Sequence, residues 1–131
     1  MREKRMLTTM LENIESGKFF NEDMFDIYVE DFLDMRDEEI FDDEWARVYD
    51  ELEALEEDKI SPQDAALMDK IREKSYLTVY HYTKSDEVAG RVSDDLELIC
   101  KAHLLQYQDS WLEKLEQAYQ EHTLPCGSFA E

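Results

Sequence analysis

Phe41, Trp45, Val48, Leu52 and Leu55 recur at steps of four, three, four and three inside the most acidic part of the chain. That spacing fits an α-helix with a single apolar stripe, because positions three and four apart share a face only at 3.6 residues per turn. Between Asn21 and Ile60 eighteen acidic residues stand against Arg36, Arg47 and Lys59, so these forty positions hold -15 of the chain's -20. The same stretch carries Phe25, Tyr28, Phe32 and Met35 at steps of three, four and three. So many large apolar side chains rule out a merely solvated tail. The stretch reads as folded helix with an acidic outer face.

The rest of the chain agrees with a helical fold. Three glycines and two prolines in 131 residues are too few for the turns of an all-β protein, while 43% hydrophobic residues can fill one core. No apolar run approaches the roughly 20 residues needed to cross a bilayer. Met6 to Ile14 is interrupted by Thr8, Thr9, Glu12 and Asn13 and lacks a small-residue cleavage pattern, so it does not read as a signal peptide. We expect a cytoplasmic protein, in its own cell or a host's. Cys100 and Cys126 have no CxxC spacing and are expected as reduced thiols, one packed in a helix and one in a tail.

Boundaries follow from capping chemistry. Leu7, Met10, Leu11 and Ile14 form one stripe from about Arg2 to Ser16, and Gly17 stands where a C-terminal cap belongs. Asn21 predicts a second helix start, with Phe20 and Phe25 spaced as a hydrophobic staple. The stripes before and after Arg36 are out of phase, so a break there is expected, with Asp37 capping a third helix that ends before Ile60. Ser61-Pro62 with Asp64 opens a fourth. Tyr76 to Thr83 is rich in β-formers, yet no second run of that character offers a partner, so it is read as helix. Ser85 starts a fifth helix, which either curves or breaks near Asp109, where Ser110 and Glu113 have capping-box spacing. Gly90 inside it implies either a close approach by another helix or a partner, or a later helix entry. The resulting expectation is an all-α, single-domain bundle of about five helices over residues 1–123, acidic on the second and third, with a flexible tail over 124–131.

Catalytic readings lack their geometry. His81, His103 and His122 have no Asp or Glu three or four positions away on the same helical face, which removes the Glu-x-x-His unit of helical di-iron sites. Glu38, Glu39, Asp42 and Asp43, with Asp94, Asp95 and Glu97, could suggest a metal-dependent hydrolase, but such clusters are usually the solvated side of an amphipathic helix. No phosphate loop, EF-hand loop or zinc spacing occurs, so neither a cofactor nor a metal is expected. His103 lies on an apolar stripe and reads as a hydrogen-bonded core or interface residue. Cys100 reads as a small buried hydrophobe.

A charge of -20 opposes binding to nucleic-acid phosphates and favours basic protein surfaces. The leading expectation is a non-catalytic inhibitor of a basic, nucleic-acid-binding protein: an immunity protein against a nuclease toxin, or a DNA mimic of the anti-restriction or anti-CRISPR type. The expected contact residues are Asp42, Asp43, Asp50, Glu53, Glu56 and Glu57. An acidic helical adaptor or secretion chaperone is the alternative, and a helical metal-dependent hydrolase the third. Acidity that serves only solubility is the bland counterpart to all three.

Overall fold

In a computed structural model of the chain, residues 2–55 and 59–130 are described, the side chains of 2–4 excepted. Among these residues there are six α-helices: α1 (Arg2–Glu15), α2 (Val29–Arg36), α3 (Glu39–Glu53), α4 (Pro62–Thr83), α5 (Asp86–Leu105) and α6 (Ser110–Gln120). A 3-10 turn, Asp23–Phe25, precedes α2, and no strand occurs among the described residues. The all-α expectation holds, and the sixth helix comes from the break near Asp109.

Several boundaries follow the capping chemistry closely. Gly17, at φ +82°, reverses the chain after α1 so that the Lys18 N–H returns to the Asn13 carbonyl at 2.9 Å. Ser61 Oγ accepts from the Asp64 N–H at 3.1 Å with Pro62 as the first helical residue. Ser85 Oγ accepts from the Val88 N–H at 3.2 Å. Tyr76 to Thr83 continue α4 as helix.

α5 is the central element. It packs against α1, α2, α3, α4 and α6, and it buries Val88, Val92, Leu96, Leu98, Ile99 and Cys100 on more than one side. Such a helix is held by neighbours all round rather than by one stripe. α4 runs back along it through the left-handed Lys84, φ 56°. On α3, Phe41, Val48 and Leu52 are buried, with Trp45 and Leu55 packed at the edge of the core.

Three expectations are corrected. The second helix does not begin at Asn21: its side chain accepts from the Met24 N–H at 3.0 Å, but it caps only the 3-10 turn, and helix resumes at Val29. The staple contact itself forms, Phe20 to Phe25 at 5.8 Å between ring centres, and Phe25 also stacks on Tyr82 of α4 at 5.2 Å. Burying Phe20, Met24 and Phe25 together takes the chain off the helical path at Asp26 (ψ 73°), so the expected stripe fails at Tyr28, which is 84% exposed. At the third helix the N-cap position is Glu38, not Asp37, and Asp37 instead binds Arg91 of α5 at 2.8 Å. At α6 the cap is Asp109 rather than Ser110, accepting from the Leu112 N–H at 3.0 Å.

The segment read as a flexible tail lies against the body. Leu124 and Gly127 are buried, the Gly127 N–H donates to the Met35 carbonyl at 3.1 Å, and Phe129 sits 5.7 Å from Phe41 and 5.8 Å from Trp111.

Candidate partner-binding surface

Because Phe41, Val48 and Leu52 turn inward, the 3.6-residue period of α3 sends its acids outward. Asp42, Asp43, Asp50 and Glu53 are all exposed on one helix. Glu56 and Glu57 lie outside the described residues.

The acids of α3 fall into two groups. Arg47 gathers one group: it donates to Glu44 at 2.9 Å, to Glu51 at 3.3 Å and to Asp109 at 2.9 Å, tying α3 to the start of α6. Its guanidinium is held above its ordinary pKa by hydrogen bonds to Glu44 and then Asp109. Partial burial pushes the Asp109 carboxyl up, but the Arg47 hydrogen bonds and the Leu112 N–H outweigh it and leave the carboxyl below its ordinary value. The other group is Glu39, Asp42, Asp43 and Asp50, which have no ion-pair partner among the described residues. Glu53 stands between the groups, with Lys101 of α5 at 3.5 Å.

Beneath this surface Asp95 of α5 is fully buried and organises a polar centre that the sequence reading missed. It receives Arg36 at 2.7 and 3.0 Å, the Trp45 indole N–H at 2.9 Å and the Tyr119 hydroxyl at 2.6 Å. The guanidinium also lies over the Phe41 ring, 4.2 Å from its centre. Burial lowers the pKa of Arg36, yet the facing Asp95 outweighs this and leaves it raised; burial, then Asp95, pushes the Tyr119 hydroxyl well up. One residue thus joins the end of α2, α3 and α6 to the central helix and sets how α3 presents its outer face. A signal was available: Asp95 is three after Val92 and four before Ile99, on the apolar stripe.

That placement disperses the second acidic group. Asp95 points inward, while Asp94 and Glu97 both bind Arg72, at 2.8 and 2.5 Å. Among the described residues no group of three or more His, Cys, Asp or Glu is arranged to hold a metal ion. His103 makes the expected hydrogen bond, Nε2 to Glu116 Oε2 at 2.9 Å across α5 and α6. Cys100, nearby on α5, is buried as expected, and burial foremost, then Glu116 and Glu97, pushes its thiol up to about 12. Both cysteines are free thiols.

Among the described residues, six packed helices enclose a buried ionic centre and carry an outward row of carboxylates on α3, which together define an acidic all-α protein. The chain belongs to the family described as Immunity protein PIM1, whose model matches residues 9–126. The matched span runs from the middle of α1 to Cys126, so it takes in α3, the Asp95 centre and the start of the C-terminal segment. No curated protein matches the chain.

Proposed function

We propose that this immunity protein neutralises a toxin by stoichiometric binding, laying Asp42, Asp43, Asp50 and Glu53 of α3 against a basic, nucleic-acid-binding surface such as a nuclease cleft, in the reducing cytoplasm where that toxin would act. The observation that carries the reading is the division of acids on α3. Arg47 neutralises Glu44 and Glu51, whereas Asp42, Asp43 and Asp50 remain exposed without a cation among the described residues. From Asp42 to Glu53 is roughly 16 Å at 1.5 Å per residue, enough to meet several Lys or Arg side chains that would otherwise hold a phosphate backbone. Like charges kept so close repel one another, and a basic partner relieves that repulsion on binding.

The test is capture of partners from the source cell at low and high salt by wild type and by the Asp42→Asn, Asp43→Asn, Asp50→Asn triple variant, followed by stopped-flow association with the captured protein. A basic nuclease captured by wild type, whose association slows at high salt and in the variant, is the expected result. Association unchanged by salt and by the substitutions would remove the phosphate-mimic reading.

A further inference from the structure

Tyr28 occupies a position that local stability does not explain. It is the N-cap of α2, where Ser, Thr, Asp or Asn would bond the exposed helix N–H groups, and its side chain makes no cap hydrogen bond. Its side chain is the most exposed of the large hydrophobic ones among the described residues, at 84%. A large aromatic at a site that favours a small polar residue points to a use outside the fold.

The ring lines a groove of about 380 Å³ between the 3-10 turn, α2 and the chain after α6. Its floor is apolar, built from the buried Met24, Phe32 and Leu124. Asp23, Asp26 and Asp31, all exposed, stand along the same groove and have no cation partner among the described residues. His122 also borders it, but its ring is engaged with the Lys18 carbonyl at 2.9 Å. An apolar floor, an open aromatic face and a carboxylate rim match one side chain better than any other. The stem of an arginine can lie on the floor, its guanidinium can stack on the tyrosine and its fork can meet a carboxylate.

We infer that the Tyr28 groove is a docking pocket for an arginine of the partner protein, an anchor separate from the acids of α3. The inference rests on the reading of a basic partner, to which it adds a specific contact. Arg and Tyr are, with Trp, the residue types enriched among those that dominate binding energy at interfaces. A planar guanidinium stacks on an aromatic face, whereas lysine offers only a point charge, so the groove should distinguish the two.

The experiment is a titration of the full isotope-labelled chain with the blocked peptide Gly-Arg-Gly, and with Gly-Lys-Gly, followed by nuclear magnetic resonance. Saturable shifts at Tyr28, Met24 and Met35 are expected with the arginine peptide. Affinity should fall about fivefold in Tyr28→Ala and stay within about twofold in Tyr28→Phe, and the lysine peptide should bind several-fold more weakly. Tyr28 is too exposed for either change to threaten folding. Equal responses to both peptides, or shifts unaffected by Tyr28→Ala, would overturn the inference. The amides of Asp42, Asp43 and Asp50 report on α3 in the same spectra, so loss of the groove response with α3 still responding leaves the proposed function standing, and the reverse leaves the groove.

Discussion

Arg36 and Asp95, fifty-nine positions apart in the chain, form a two-pronged ion pair at 2.7 and 3.0 Å with side chains 4% and 0% exposed. Taking both charges out of water is costly, and the pair survives because Trp45 and Tyr119 supply further hydrogen bonds to the same carboxylate. The Arg36 Nε has no partner among the described residues, so the guanidinium leans on Asp95 and on the Phe41 ring.

Replacing Asp95 by Asn keeps the shape but strands a buried guanidinium, which should destabilise the fold by about 3 to 5 kcal/mol. The neighbouring Asp94→Asn removes only a half-exposed contact with Arg72 and should cost less than about 1 kcal/mol. Urea unfolding of the two variants makes the comparison. Equal, small losses would mean that the ionic centre does not organise the fold.

Asp109 carries a pH-dependent part of the stability. Its folded pKa lies below its ordinary value, so the folded chain binds fewer protons there than the unfolded chain does. The contribution is complete above the unfolded pKa near about 4 and disappears as pH falls through the folded value. Asp109→Asn keeps a good N-cap but loses the charge facing Arg47. Wild type should therefore be the more stable at pH 7, with the gap closing in acid. Thermal melts across that range would show it, and a gap that is constant with pH would contradict it.

Gly90 offers a stabilising change. A β-carbon built there meets nothing within 4 Å, and the residue lies inside α5, so no neighbouring helix requires its lack of a side chain. Gly90→Ala should raise stability by roughly 0.5 to 1 kcal/mol through backbone entropy and helix propensity. A shifted denaturation midpoint at unchanged slope is the readout. Unchanged or reduced stability would locate a constraint on Gly90 within the folded chain.

The sequence by itself determined the helical class, the inward stripe of α3 and the starts at Ser61 and Ser85, because these depend on residues within one or two turns of one another. Capping hydrogen bonds span three residues and apolar faces repeat every three or four, so both leave a local trace. The outward direction of Asp42, Asp43, Asp50 and Glu53 was legible for the same reason. What only the tertiary structure decided involves partners far apart in the chain. Phe25 stacking on Tyr82 cut the expected second helix short and freed Tyr28. Arg47, beyond its neighbours Glu44 and Glu51, reaches Asp109 sixty-two positions away and so ties α3 to α6. Asp95 carried a local hint of burial, but its partner did not: an arginine at the end of one helix has no sequence mark that it will face an aspartate in the middle of another. Such pairings are selected by how whole helices pack, since a buried charge is tolerated only where the fold brings its counterion and donors together.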